Sequence, residues 1–496
     1  RKAKSFLLNG FILTITSCIM RGAGLIFNIY VANQVGVQAI GVFSLVMSVY
    51  NFAITFSTSG IGLSCTCIVS EEFAKNNFSN GFKAVKTCML FSLILGISGC
   101  LLLILFAPII STIWLKNSIS NLPIYAISIG LPFISISSVI NGYFNSIGKS
   151  YQNAISQCFE FFIKIVATIV LLSFTINKGI DIICSALIFA DVISELFSFT
   201  LNLIFYTIDK RKFINNRSYT PDMSKRIFKI SFPVAITSYI RSGLSSLKQF
   251  LIPARLQVSG LNYSLAVSKY GLINGMVMPI LLFASFFINS FSSLLIPEYS
   301  RLQAGKNFNR MKTVSNKIFE FTFMFSFLVS GVFLFFANEI SLVVYQNLET
   351  AKYIRILAPL VVFMYIDTII DGILKGINSQ FGVMCINIFD LIIKILIIYF
   401  TVPVLGINGY ILSIFISEIF NFISSYLLKK KKIDCKLNFL NLCLKPFIIV
   451  IISYFLSLII NINFNNFVLY VIFKIAIFSI PVIIWTFIKF GFKRDF

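Results

Sequence analysis

Fourteen apolar runs, most of them long enough to cross a bilayer, divide the chain at roughly 6–32, 40–69, 87–113, 122–145, 153–176, 180–207, 229–255, 270–296, 318–345, 354–377, 382–402, 406–428, 442–461 and 467–488. A span needs about 20 predominantly apolar residues. Hydrocarbon offers the backbone no water, so such runs fold as helices that satisfy their own N–H and C=O groups. The expected fold is an all-α polytopic membrane protein with about 14 transmembrane helices. Composition bears on the solvent: 57% of the residues are hydrophobic and 12% charged, where a soluble domain has roughly a quarter charged. The first run follows Arg1-Lys2-Ala3-Lys4, is too long for a signal peptide and ends without a small-residue cleavage site, so it reads as helix 1. A chain that starts at Arg rather than Met is expected to lack a short initiator segment.

The runs also repeat. Phe82-Lys83-Ala84-Val85-Lys86-Thr87 returns as Phe308-Asn309-Arg310-Met311-Lys312-Thr313, and Phe159-Glu160-Phe161-Phe162-Ile163-Lys164-Ile165 returns as Phe389-Asp390-Leu391-Ile392-Ile393-Lys394-Ile395. Asn141-Gly142 matches Asp371-Gly372, Glu72-Phe73 matches Glu298-Tyr299, and Phe106-Ala107 matches Phe336-Ala337. An even number of spans per repeat gives two parallel six-helix repeats, related by an axis along the membrane normal. The expected domains are an N-terminal half over 1–208, a cytoplasmic linker over 209–228 in the most polar connection, a C-terminal half over 229–432, and two additional transmembrane helices within 433–496. A duplicated membrane bundle is the usual architecture of a transporter whose halves rock about a central site. Pro132, Pro233, Pro279 and Pro359 are expected to bend spans, which suits such a motion.

A net charge of +23 could suggest a nucleic-acid partner. The cations argue otherwise, because about 28 of the 41 Lys and Arg fall on alternate connections and about six on the opposite ones. That pattern sets topology, puts both termini in the cytoplasm and offers a basic face to membrane lipids. The chain has no histidine, which excludes His-ligated haem or zinc and His-based acid/base catalysis. It has no G-x-x-x-x-G-K-[ST] motif for ATP. Its ten cysteines include no Cys-x-x-Cys and read as packing residues. No cofactor, metal or enzymatic activity is expected.

Two six-helix halves plus two helices, with Ser57-Thr58-Ser59-Gly60-Ile61 in helix 2 and Gly142-Tyr143-Phe144 closing helix 4, resemble the multidrug/oligosaccharidyl-lipid/polysaccharide (MOP) exporter superfamily. Leu294-Leu295-Ile296-Pro297-Glu298, and Ala154-Ile155-Ser156-Gln157 followed by Glu160, are similar to its stage V sporulation protein B and polysaccharide-flippase branch. The resemblance implies movement of undecaprenyl-diphosphate-linked saccharide or cell-wall precursor across the cytoplasmic membrane by alternating access. It also implies that helices 1 and 7 line the central cavity. The lipid II flippases it resembles carry an Arg-Asp pair in helix 1 where this chain has Phe27-Asn28, a departure that weighs against a peptidoglycan precursor.

A diphosphate headgroup needs cations and donors inside the bilayer, where buried charge is costly and marks function by default. Helix 7 offers Arg241, Lys248 and Arg255 at steps of seven, on one face. Helix 1 offers Arg21 with Asn28 on the same rule. A structural reading stands beside this one, in which Arg255 snorkels to water and Arg21 pairs with a carboxylate for packing. Glu160/Lys164 and Asp390/Lys394 are acid-then-base at i and i+4, and read as structural ion pairs within a helix. Asp367, Asp371 and Lys375 follow at steps of four. Lys375 can neutralise only one carboxylate, so Asp367 and Asp371 are candidates for ion coupling with Na+ or H+, or for countering the buried cations. The alternative activity is a MATE-type cation-coupled multidrug extruder, which would want a carboxylate-rich cavity. The stripe on helix 7 favours the flippase over that extruder and over a non-transporting scaffold.

Overall fold

Among the described residues every regular element is helical, as the apolar runs require. A computed structural model describes residues 2–115, 120–211, 222–433, 439–460 and 466–490, apart from the side chains of 2–19, 21, 439–441, 487 and 490. The chain opens with α1 (Lys2–Thr58), α2 (Ile61–Ala74), α3 (Phe78–Ile109), α4 (Leu122–Ser146), α5 (Ser150–Thr175) and α6 (Ile180–Lys210). Then come α7 (Met223–Val258), α8 (Tyr263–Gly271), α9 (Met278–Phe283), α10 (Ser285–Ala304), α11 (Phe308–Phe335) and α12 (Ala337–Tyr345). The chain continues through α13 (Leu348–Leu357), α14 (Leu360–Gly376), α15 (Gln380–Leu405), α16 (Ile407–Lys432), α17 (Phe439–Ile459) and α18 (Phe467–Phe490).

Eleven helical segments among the described residues are long and apolar enough to cross a membrane, or twelve if α13 and α14, bent by 53°, form one span. The chain is a multi-pass membrane protein. Two features separate this number from fourteen. The first two runs join in α1, interrupted only at Gly36, whose φ of 81° and ψ of 169° kink the helix. Helix α7 is 36 residues long but carries six Lys and Arg, which lower its hydropathy. Two of the expected bends coincide with breaks. Pro359 stands between α13 and α14, and Pro279 opens α9 just after a π-helical stretch, Leu272–Val277. Proline has no N–H for the preceding turn, so the ladder opens there.

The duplication is visible as repeated contacts at one offset. Ser70 Oγ donates to the Ser146 carbonyl (3.3 Å), and 230 residues on Ser300 Oγ donates to the Gly376 carbonyl (2.8 Å). Gly62 packs on Ser138 where its counterpart Ser292 donates to the Thr368 carbonyl (2.8 Å). The turns match as well: Asn76 and Lys306 both have positive φ (59° and 50°), and α3 and α11 begin at Phe78 and Phe308. The true counterpart of Phe308 is therefore Phe78, not Phe82, and Glu72 corresponds to Leu302 rather than Glu298. Four residues is close to one helical turn, so a shift of four keeps the same face and preserves local similarity in the wrong register. Past α5 the offset becomes 227, since α6 begins at Ile180 and α16 at Ile407.

Packing groups the chain into two units: Arg1–Phe27, Gln34–Ala254 and Asn262–Gly271 form the first, and Asn28–Asn33, Arg255–Leu261 and Leu272–Phe496 the second. Most of α7 thus packs with the N-terminal helices, although the repeat begins a new half before it. The cause is local. Arg226, in the first turn of α7, bridges Glu72 (2.7 Å) and Glu71 (2.6 Å) on α2, and Met223 and Ile227 join a core with Ile61, Val139, Tyr143 and Tyr206. Within this unit Gly41 and Gly271, which are 230 residues apart, make a reciprocal contact. A Cβ on Gly41 would strike the Val267 carbonyl, and one on Gly271 would lie 2.5 Å from the Val37 carbonyl. Val37 and Val267 are also 230 apart, so the contact is self-complementary. In the second unit α17 and α18 attach to α11 through Met324, Phe336, Val450, Phe478 and Val482. Gly331 leaves room there for Val450 and Phe478, and Lys489 pairs with Glu320.

Candidate functional site

The three cations at steps of seven all lie on α7, whose helical repeat sets them on one face. Arg241 is exposed and Lys248 half-buried. Arg255 is held differently: its guanidinium lies 3.4 Å from the centre of the Tyr399 ring on α15, and its Nε has no hydrogen-bond partner. Stacking of this kind fixes the plane of an arginine while leaving edge donors free. Asn28 is half-buried in α1, while the side chain of Arg21 lies outside the described residues.

The repeated lysines do not bridge their own i−4 acids among the described residues. Lys164 Nζ lies 2.6 Å from Asp191 Oδ1 on α6, and Lys394 Nζ lies 3.6 Å from Glu418 Oε1 on α16. Asp191 and Glu418 are 227 apart, so the bridge is duplicated along with the helices. The intrahelical reading is corrected accordingly: a lysine stem can reach a facing helix as easily as its own preceding turn, and the acid there is buried and needs a counter-charge. Of the two i−4 acids, Asp390 accepts from the Ser417 hydroxyl and Glu160 turns to a cavity described below.

In the second unit, Asp367 is buried on α14 and accepts from Asn421 Nδ2 (3.1 Å), while its Oδ1 has no partner. Asp371, one turn on, is half-buried and 3.9 Å from Lys375 Nζ. At that distance the lysine meets one carboxylate and leaves the other to an amide.

A cavity of about 690 Å³ lies within the first unit among α1, α2, α4, α5 and α6. Asn141 and Asn145 enter it from α4; Asn153, Ser156, Gln157 and Glu160 from α5; Glu195, Ser198 and Asn202 from α6. Among the described residues no Lys or Arg lines it. Gly142 is required at its floor, since a Cβ there would lie 2.5 Å from the Gly62 carbonyl. Asn153 Nδ2 donates to the Asn141 carbonyl and to Asn145 Oδ1, both at 3.0 Å. The Oδ1 atoms of Asn141, Asn153 and Asn202 and the Oγ of Ser156 have no partner, although Ser156 is 1% and Asn202 2% exposed. Buried polar atoms normally find a hydrogen bond, and a group of orphans around one cavity implies a polar occupant. Sequence reasoning touched Asn141, Ser156, Gln157 and Glu160 as repeat, family and ion-pair signals but did not assemble them into this site. Its signal was present as polar residues at helical spacing inside apolar runs: 153, 156, 157 and 160 on one helix, 195, 198 and 202 on the next.

A family model described as Polysaccharide biosynthesis protein matches residues 6–303, and one described as MatE matches residues 255–400. The chain is 24% identical over 423 residues to Stage V sporulation protein B of Bacillus subtilis (strain 168), covering 83% of this chain and 81% of that one. It is 22% identical over 459 residues to the Lipid II flippase MurJ of the same organism, covering 86% and 83%. Among solved structures, the inward-facing conformation of a multidrug resistance MATE family transporter of the MOP superfamily superposes with a TM-score of 0.64 at 16% identity, over 84% of this chain and 98% of that one. A MOP superfamily transporter from Pyrococcus furiosus, described as having a binding pocket of reversed polarity, gives 0.60 at 14% identity over 85% and 95%. At these identities the structures speak for the fold.

Proposed function

We propose, since the chain belongs to the polysaccharide biosynthesis protein family within the MOP exporter superfamily, that it moves a lipid-linked saccharide or cell-wall precursor across the cytoplasmic membrane by alternating between inward-open and outward-open states. Positive-inside topology puts both termini on the cytoplasmic side. The observation that carries the substrate class is the α7 stripe. Arg241 and Lys248 stand on an intramembrane helix with no acidic residue anywhere along its length. Cations on a membrane helix are candidates for function by default. A diphosphate headgroup supplies two adjacent anionic centres, for which Arg gives a planar bidentate donor and Lys a point charge. Arg21, Asn28 and Arg255 extend the proposed anion site. Asp367 and Asp371 are the proposed coupling residues for Na+ or H+.

Membrane potential acting on one charge is worth about 2.3 kcal/mol per 100 mV, enough to bias the cycle. Native mass spectrometry of the detergent-extracted protein with undecaprenyl diphosphate tests the anion site. Wild type is expected to retain the lipid, and Arg241→Ala/Lys248→Ala to weaken retention by at least about tenfold, the equivalent of one charge-assisted contact. Equal retention by both proteins removes the stripe from the site. Retention of a cationic dye in place of the lipid, with release by sodium or acid, points to a drug extruder.

A further inference from the structure

The lining of the cavity is only partly repeated in the second half. At the positions that correspond by 230 or 227 residues, the second half replaces Asn141 by Asp371, Asn145 by Lys375, Asn153 by Val383, Glu195 by Phe422 and Asn202 by Lys429. Phe422 packs edge-on against Phe363 (5.5 Å between ring centres). Charged, aromatic and apolar side chains therefore stand where the first half keeps four amides and a carboxylate.

The lining describes its occupant. Among the described residues no Lys or Arg lines the cavity, so it offers a phosphate no counter-charge. Its unpartnered atoms are the amide oxygens of Asn141, Asn153 and Asn202, a carboxylate oxygen of Glu195 and the hydroxyls of Ser137 and Ser156; the oxygens call for donors, and each hydroxyl can also donate to an acceptor. A polyhydroxyl compound gives both at each carbon, and a carboxylate takes two neighbouring hydroxyls as a bidentate acceptor. The volume of about 690 Å³ is that of a small-molecule site and is far larger than a single ion requires. We infer that this cavity receives the saccharide portion of the lipid-linked substrate, with Asn153, Ser156 and Asn202 reading its hydroxyls. The assignment rests on the flippase reading above. It divides the substrate's chemistry between two places, the diphosphate on α7 and the sugar among α4, α5 and α6.

Native mass spectrometry of the full chain separates the two claims, with undecaprenyl diphosphate carrying N-acetylglucosamine as one probe and bare undecaprenyl diphosphate as the other. Wild type is expected to prefer the glycosylated lipid by about tenfold. Asn202→Leu is expected to erase that preference without weakening the bare lipid. Gln157→Leu, at the exposed rim where folding is not at stake, is expected to reduce it several-fold. Equal affinity of wild type for both lipids, or a preference that survives both substitutions, overturns the saccharide assignment while leaving the diphosphate reading intact. Failure of wild type to retain either lipid removes both.

Discussion

Leucine in place of Gly41 or Gly271 is expected to abolish the folded protein. Added side-chain atoms at Gly41 meet the Val267 carbonyl, and at Gly271 they meet the Val37 carbonyl and the backbone of Gly41 at 2.5–2.7 Å. Backbone cannot turn away as the end of a flexible side chain can, so the two helices must separate and surrender packing on both sides. Association of helices in lipid relies on such close contacts because no hydrophobic drive brings them together. Overpacking a core costs about 1–3 kcal/mol where side chains can yield, and the cost here is at the upper end or beyond. Fluorescence-detected gel filtration followed by a thermal ramp reads the outcome. Gly24→Leu is the control, since nothing lies within 4 Å of a Cβ built there. A Gly41→Leu protein that elutes and melts with Gly24→Leu means that the reciprocal contact does not exist.

Much of this architecture is legible in the residues, and the misses have physical causes. Apolar runs predict the spans because backbone in hydrocarbon has one local solution, and most predicted boundaries lie within several residues of the helices observed. The duplication is legible too, but its register near Phe82 is not. A one-turn slip leaves polar and apolar faces aligned, and the turn at Asn76/Lys306, the paired helix starts and the matched Ser70 and Ser300 contacts break the degeneracy. Spacing along one helix likewise identifies Glu160/Lys164 as neighbours. Which partner the lysine chooses is decided by the helix that faces it, and a sequence does not state that. The cavity was hidden for a different reason: Asn and Ser are common in this chain, and their significance emerges only when three helices bring them to one place without partners. Charge is the loudest intramembrane signal, which is why α7 is legible and the amide-lined cavity is not.

The duplicated bridge leads to the second large effect. Lys164→Ala is expected to destabilise the protein by about 3–5 kcal/mol, since it leaves the Asp191 carboxylate, 7% exposed, buried without its counter-charge. The double variant Lys164→Met/Asp191→Leu is expected to recover most of that loss, because replacing a buried pair by apolar groups is close to neutral. A double-mutant cycle over thermal midpoints gives the coupling, and its sign distinguishes two accounts of the lysine. If the i−4 acid were the true partner, Lys164→Met/Glu160→Leu would be the rescued pair and Asp191→Leu would change little. The facing-helix bridge predicts the reverse. It also predicts that Lys394→Ala costs less than Lys164→Ala, because Lys394 and Glu418 stand 3.6 Å apart rather than 2.6 Å and Glu418 is 17% exposed. A bridge of this kind pins α5 to α6 and α15 to α16 at the same place in each repeat. Each helix pair would then move as one body, which is the mechanical condition for a bundle that changes access without changing its internal packing.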